Sequence, residues 1–205
     1  MTNRLGHTTT RPGRALRGLA AAALASLAGL TLLAGPAAAA TEGLASSEWH
    51  GYVCDDGYYR IKTPFGQLVE RNQYSAWGQA IQNPDSGAYR QQWKLCHYKD
   101  DSQSFIFRSR ENEGDCLGVW KQNPNDGNEG LADGANFNVF DCQGWIYGNQ
   151  IFHFVYPAPG SNQVLMKIGH SGSFAAVSDA NGGAGSSIAQ YGYRASLFTL
   201  DHLAA

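Results

Sequence analysis

The sequence repeats one strand pattern three times, and this repeat limits the possible fold more than any other feature. Each copy begins with a mixed apolar and polar strand, continues through a glycine turn into a short apolar stretch, passes a second glycine and closes on an aromatic strand. The opening strands are predicted at 58–62, 105–108 and 164–168, and the closing aromatic residues are Trp93, Phe152 and Phe198. One such unit cannot bury its apolar face alone, whereas three units can share a core.

The spacing inside the repeats predicts a domain made only of strands. The second glycines are Gly78, Gly134 and Gly185, and three positions after each stands an apolar residue: Ile81, Phe137 or Ile188. The repeats extend over about 58–98, 104–156 and 163–201, and their unequal lengths place the insertions in loops. No segment keeps a helical apolar period for three turns. Twelve short strands in one all-β domain are therefore expected over 53–205.

The first forty residues have the features of a secretory signal peptide. They carry four arginines and no acid, then an apolar run over 19–33, and they end in Pro36 and four alanines. The apolar run is diluted by alanine and glycine and is too short to span a bilayer. We expect cleavage after Ala40, an N-terminal arm over 41–52, no membrane span in the mature chain, and an extracellular location. The alanine-rich leader favours a bacterial source.

Removal of this leader changes the charge of the chain. The whole chain has 15 Lys and Arg against 17 Asp and Glu. Four of the basic residues lie in the leader, so the remainder carries a net charge of −6. An acidic domain is unlike a dedicated nucleic-acid binder, which is usually basic. All four cysteines follow the leader, and an even number in an oxidising compartment predicts two disulfides.

Short motifs in the repeats resemble the signature of the ricin-B-type (R-type) lectins. The middle repeat has Cys-Leu-Gly-Val at 116–119, Phe-Asp-Cys at 140–142 and Asn-Gln-Ile-Phe at 149–152, and the first repeat closes on Gln-Gln-Trp at 91–93. The resemblance covers about 50–203. It implies a β-trefoil of three four-stranded pseudo-repeats. It also implies a disulfide between Cys116 and Cys142, which leaves Cys54 to bond Cys96 and hold the N-terminal arm.

The resemblance also implies where sugars would bind, and this sequence departs from the family there. Family members that bind galactose-like sugars have an aspartate in the motif that follows the first glycine turn. Here the three positions hold Val69, Gly118 and Ala176, and Glu70 replaces the acid only if the first repeat is shifted by one residue. The remaining candidate ligand residues are Gln82, Asn138, Phe140, Asn149, Gln150 and Tyr191. Gln91, which the first repeat also keeps, and Gln150 have an alternative role in bonding backbone, and the rings of Phe140 and Tyr191 in packing.

These features predict a non-catalytic binding module that recognises carbohydrate through weak or few sites. The alternative is a degenerate trefoil that serves as a protein–protein adaptor in a secreted, toxin-like complex. Candidate partner contacts for this alternative are Trp49, Trp145 and Tyr147. The partner is thus a glycan or a secreted protein, and the chain is a monomer or one subunit of a hetero-complex. A protease-inhibitor trefoil is a third possibility, but no reactive loop identifies itself.

Catalytic and metal-binding motifs are missing from the sequence. The histidines lack a His-Glu-x-x-His spacing, and neither a nucleophile elbow nor a phosphate-binding loop is present. The polar loop over 121–134 has acids and amides, but its glycine is misplaced for an EF-hand. We therefore expect no enzyme activity, no cofactor and no metal.

Overall fold

Six strands pair into a closed ring, and three hairpins lie against it. The computed structural model describes residues 47–49, 51–120, 130–143 and 148–204, all within the unit Thr41–Ala205. The strands are β1 (Ser47–Trp49), β2 (Tyr52–Cys54), β3 (Tyr58–Lys62), β4 (Leu68–Arg71), β5 (Ala80–Asn83), β6 (Trp93–Tyr98), β7 (Asp101–Ser109), β8 (Asp115–Val119), β9 (Phe137–Asp141), β10 (Phe152–Val155), β11 (Gln163–Ile168), β12 (Phe174–Val177), β13 (Ile188–Tyr191) and β14 (Phe198–Leu203).

The ring is a six-stranded barrel. Strand β3 pairs with β6, β6 with β7, β7 with β10, β10 with β11, β11 with β14, and β14 again with β3. Closure removes the free edges that an open sheet would expose. The hairpins β4–β5, β8–β9 and β12–β13 each connect two barrel strands. This architecture is a β-trefoil, and it confirms the predicted fold class.

The N-terminal segment adds two strands that the repeat pattern does not predict. Strand β1 pairs with β2, and β2 pairs with the barrel strand β6. Cys54 and Cys96 are directly opposed on β2 and β6 and form one disulfide. Cys116 and Cys142 form the second. Both predicted disulfides are confirmed. Among the described residues, none forms a helix long and apolar enough to cross a bilayer.

The three closing aromatic residues lie at the centre of the shared core. Trp93, Phe152 and Phe198 have no exposed surface and belong to one continuous apolar cluster. Phe152 packs against Phe107 and Phe137, at centroid distances of 5.6 and 5.8 Å. Each repeat supplies rings or branched side chains to this cluster, so no repeat has a complete core alone.

Each hairpin is hydrogen-bonded to a loop of a neighbouring repeat. We call each of these three contacts between repeats a seam, and the three seams form a cycle. The bonds run from the backbone N of Gln82 to the O of Ser186, from the N of Gln190 to the O of Ala135, and from the N of Val139 to the O of Gly78. A tight turn lies beside each seam. In these turns the N–H of Ser186 donates to the Gly183 carbonyl, that of Ala135 to the Ala132 carbonyl, and that of Gly78 to the Ser75 carbonyl. The cycle makes Gln82, Val139 and Gln190 equivalent positions.

This equivalence corrects the sequence alignment of the first repeat by one residue. The strand partners of the three positions are Val69, Leu117 and Ala175, all of which lie in the core. The residues that follow them are Glu70, Gly118 and Ala176. Glu70, rather than Val69, is therefore the first-repeat residue equivalent to Gly118 and Ala176, where the resemblance would place the acid. The physical reason lies in the turn before β5. There Gly78 donates the hydrogen bond that closes the turn, as Ala135 and Ser186 do in the other repeats, whereas Gly134 and Gly185 stand one position earlier.

Candidate functional site

The acid position of the first repeat is closed by internal bonds. Glu70 is 4% exposed. Its Oε1 accepts a hydrogen bond from Asn83 Nδ2 at 2.6 Å, and its Oε2 accepts one from Gln91 Nε2 at 2.7 Å. Arg90 Nε lies 3.4 Å from the same Oε2. Asn83 stands opposite Leu68, where the second repeat has the ring of Phe140 opposite Cys116. This carboxylate is satisfied by the protein and has no aromatic platform beside it.

The acid position of the second repeat has no room for an acid. A Cβ on Gly118 would lie 2.5 Å from Gln150 Cγ and 2.9 Å from the Asn149 carbonyl oxygen. Asn149 Nδ2 donates to the Val119 carbonyl at 2.9 Å. Gln150 Nε2 donates to the Asp141 carbonyl at 3.0 Å, while its Oε1 accepts from the backbone N–H of residue 143. Both predicted ligand amides thus bond backbone groups.

The third repeat offers a ring whose face is covered. Ala176 and Ala189 are paired at the acid position and carry no polar group. The guanidinium of Arg194 lies 3.8 Å from the centroid of the Tyr191 ring and donates to the Ser178 carbonyl. The exposed ring here is Tyr193, at 75%. Tyr191, predicted as a ligand ring, is therefore stacked on a protein cation.

The other predicted residues have varied positions. Gln82 is fully buried and donates to the Gly183 carbonyl at 3.1 Å, so it belongs to a seam between repeats. Asn138 donates to the Trp77 carbonyl at 2.7 Å. Trp49 lies on β1. Trp145, Tyr147 and most of the 121–134 loop lie outside the described residues. Within the described parts of the chain, no group of three His, Cys, Asp or Glu side chains could hold a metal ion.

A crevice of about 330 Å³ opens between the first and second repeats. Three aromatic rings form one continuous wall. The rings of Trp77 and Trp120 have centroids 5.8 Å apart, and Trp120 meets Phe140 edge to face at 5.3 Å. Trp77 is 68% exposed, so its ring is accessible to a ligand. The volume is within the range of small-molecule sites.

Polar groups of both signs line the same crevice. Arg71 Nη1 lies 3.1 Å from Asp115 Oδ2, and Asp115 is buried beneath this ion pair. Asp141 and Gln143 are exposed at the rim. Among the described residues, none forms an ion pair with the Asp141 carboxylate. The crevice thus combines an apolar wall with an anchored guanidinium, a carboxylate acceptor and an amide.

The crevice exists because one seam differs from the other two. Gln82 and Gln190 extend buried side chains into the neighbouring loops, where Gln190 Nε2 donates to the Ala132 carbonyl at 3.0 Å. The equivalent residue between the first and second repeats is Val139, whose short apolar side chain has no donor. Space remains beside it, and Val139 lines that space. The crevice thus lies at the one of these three positions that has no amide side chain.

The sequence patterns did not identify this site. Trp77 directly precedes the second glycine of the first repeat, and Trp120 directly follows a core strand of the second. They stand in unlike loops of different repeats, so no periodicity joins them. The available signal is the presence of two tryptophans outside the core pattern, one in the turn before β5 and one directly after β8. Phe140 is the single predicted ligand residue that lines the crevice.

Comparisons with known proteins agree with the fold. No protein-family model and no curated protein matches the chain. Among solved structures, the chain is similar to ThreeFoil, a designed 3-fold symmetric protein, with 25% identity over 72% of this chain and 100% of that one and a TM-score of 0.59. It is also similar to a ricin B-like lectin of Macrolepiota procera in complex with lactose, with 16% identity, coverage of 73% and 98%, and a TM-score of 0.51. The chain is similar to the Haemophilus ducreyi cytolethal distending toxin as well, with 13% identity over 73% of this chain and 87% of that one and a TM-score of 0.54.

Proposed function

We propose that this chain is a secreted, non-catalytic carbohydrate-binding module whose sugar site is the crevice between the first and second repeats. The observation that carries the proposal is the wall of Trp77, Trp120 and Phe140 beside Arg71 and Asp141. A sugar ring places its C–H face on an aromatic surface, and its hydroxyls donate to a carboxylate or accept from a guanidinium. The crevice supplies all three elements.

The ring geometry favours a sugar over a cationic ligand. A cage for an alkylated ammonium group needs aromatic faces that surround the cation. Here the rings contact one another, with Trp120 between Trp77 and Phe140, and leave no gap for a cation between them. The exposed ring of Trp77 offers one face on which a flat partner can stack. The fold of a lectin crystallised with lactose supports this function only by analogy.

A glycan panel tests the proposal. The secreted protein is titrated against neutral and acidic oligosaccharides by calorimetry. We expect at least one sugar to bind with a millimolar or lower Kd, and we expect Trp77→Ala and Trp120→Ala each to weaken it by about tenfold or more. Tyr193→Ala removes an equally exposed ring in the third repeat and serves as the matched control. Absence of binding to the whole panel, or binding that survives both tryptophan variants, would overturn the proposal.

Secretion is part of the same proposal. We infer that the first forty residues are removed on export and that Thr41 becomes the N-terminus. The support is the basic, apolar and alanine-rich order of the leader, together with two disulfides in the domain that follows. Mass spectrometry of the protein from the culture medium gives the N-terminus directly. A product that retains residues 1–40 contradicts this part.

A second candidate function is that of an adaptor subunit in a secreted complex. The observation that favours it is a set of strongly exposed aromatic residues distributed over all three repeats: Tyr74, Tyr89, Tyr156 and Tyr193. Large exposed rings are common at protein interfaces. The shared fold with a cytolethal distending toxin is compatible with it. Size-exclusion chromatography with light scattering of the native secreted material distinguishes the two, because an adaptor elutes with its partner and a free lectin elutes as a monomer.

A further inference from the structure

A second surface, separate from the crevice, gathers positive charge around Tyr58. On the barrel strands β6 and β7, Lys94 stands directly opposite Arg108. Like charges at paired positions repel and destabilise a sheet. The Lys94 ammonium lies 5.5 Å from the centroid of the Tyr58 ring, and Arg110 lies against the same ring. Lys94 and Arg110 therefore share a contact with the Tyr58 ring, and Arg108 is paired with Lys94 across strands β6 and β7.

The guanidinium of Arg110 is held in a fixed orientation. Its central carbon lies 4.2 Å from the centroid of the Tyr58 ring and 4.1 Å from that of Tyr89. One of its nitrogens donates to Gln92 Oε1. These two rings and Gln92 together restrict the orientation of the guanidinium, which has further N–H donors in its plane. Two in-plane donors match the two oxygens of a sulfate or carboxylate group.

Glu113 balances one of these three cations, Arg108. Its carbonyl accepts from Arg108, and its carboxylate lies 3.9 Å from the same guanidinium and accepts from the Tyr58 hydroxyl. In the described part of the chain, neither Lys94 nor Arg110 forms an ion pair. This positive surface lies on a domain whose expected net charge is −6.

We propose that Lys94 and Arg110 form an oxyanion site that takes a sulfate or carboxylate group, either as a free ion or as a substituent of an acidic polysaccharide. An anion there would offset the repulsion between Lys94 and Arg108 and would meet donors that are already oriented. Binding therefore stabilises the folded chain. This site and the crevice share no residue, so a substitution in one can leave the other intact.

Thermal unfolding of the secreted protein in sulfate and in chloride at equal ionic strength tests the site. Sulfate stabilises most proteins by exclusion from their surface, so the informative quantity is the difference between variants. We expect sulfate at ten times its Kd to raise the Tm of the parent by about 3–6 °C more than that of Lys94→Gln or Arg110→Gln. Lys167→Gln removes an exposed charge on the third repeat and is the matched control.

A structural role for the cations predicts a different result from a binding role. Because Lys94 faces Arg108, Lys94→Gln is expected to have a higher Tm than the parent in chloride and to lose the response to sulfate. A lower Tm in chloride, or an equal sulfate response in both variants and the control, overturns the proposal. Trp77→Ala is expected to keep the sulfate response, which separates this site from the crevice.

The source of the anion is tested with polymers. Dextran sulfate and unsulfated dextran are compared at equal mass concentration. Binding of dextran sulfate that weakens at least tenfold in Arg110→Gln supports a polysaccharide ligand. Binding of free sulfate without binding of dextran sulfate restricts the site to small anions. Equal binding of both polymers contradicts an oxyanion site.

Discussion

Replacement of Val139 by glutamine should close the crevice without unfolding the domain. At the two other seams, a glutamine in the equivalent position is fully buried and donates to a loop carbonyl. The equivalent acceptor between the first and second repeats is the carbonyl of Ser75. In Val139→Gln the new amide is expected to reach that carbonyl and to occupy the space beside Trp77.

The free-energy terms of this substitution nearly cancel. Val139 is 2% exposed, and the loss of its burial costs about 1.5–3 kcal/mol. The two methylene groups of glutamine recover about 1.6 kcal/mol at ~0.8 kcal/mol each, and one new hydrogen bond contributes about 0.5–1.5 kcal/mol. These terms oppose each other, so the expected change in the free energy of unfolding lies between about −1 and about +1.6 kcal/mol.

The matched control is Val139→Ala, which removes two methyl groups and adds no donor. It is expected to cost about 2 kcal/mol, or about 4–8 °C in Tm, and to leave the crevice open. Guanidinium unfolding gives the stability of both variants, and calorimetry against the best sugar of the panel gives binding. The glutamine variant should keep its stability and lose sugar binding, whereas the alanine variant should lose stability and keep sugar binding.

Two results would refute this reasoning. If Val139→Gln lowers the stability by more than about 3 kcal/mol, the glutamine has not found the carbonyl, because an unsatisfied buried amide has a cost of that size. The three seam positions would then not be equivalent. If the variant is stable and the sugar still binds with the parent Kd, the crevice is not the sugar site.

Three further predictions concern stability. Glu70→Ala should lower the free energy of unfolding by about 3 kcal/mol, because the two amides that donate to Glu70 lose a buried carboxylate acceptor. The control Glu111→Ala, at an exposed position, should change it by less than about 0.5 kcal/mol. Equal effects of the two substitutions in urea unfolding would contradict a structural role for Glu70. Gly182 has a φ of +64°, and a Cβ there would overlap the Phe65 ring, so Gly182→Ala should destabilise the chain. The destabilisation should be smaller when Phe65 is also replaced by alanine. If the costs of the two substitutions are additive in unfolding experiments, the ring is not the obstacle. Burial, and to a smaller extent Tyr98, raises the pKa of Tyr52 to about 12. Because the folded pKa lies above the unfolded one, this contribution is intact below about pH 10 and is lost as the pH rises from about 10 to 12. Tyr52→Phe should therefore lose less stability over that interval, as measured by chemical unfolding at fixed pH values, and an unchanged slope would contradict the assignment.

Much of the fold follows from the sequence because glycine turns and aromatic strands recur in order. The opening strand at 58–62 and the closing aromatic residues are where the pattern predicts them. The register of the first repeat is not, because a glycine marks a turn without fixing how many residues the turn contains. Gly78 adopts a positive φ, as Gly134 does, yet stands one position later in the turn. Only the hydrogen bonds between repeats reveal this offset.

The candidate site was less predictable than the fold. The family motif directed attention to Asn149 and Gln150, which the structure uses to bond backbone. The crevice depends instead on a contact between Trp77 and Trp120, which belong to different repeats and to loops without a shared pattern. It also depends on the size of one core side chain, Val139. A sequence pattern shows that Val139 is apolar, but not that the equivalent residues at the other two seams have longer side chains that reach a loop carbonyl.

The seams also determine how many binding sites such a domain presents. A barrel with three equivalent seams has up to three places for a crevice, and here two of them are filled by single glutamine side chains, Gln82 and Gln190. Under the proposed function, the valency of the domain toward a repeating glycan is set by the residues at these three seam positions rather than by the fold. Because linked sites gain avidity by raising the effective concentration of the ligand, exchange of one amide for an apolar residue would change the strength of surface attachment far more than the affinity of any one crevice.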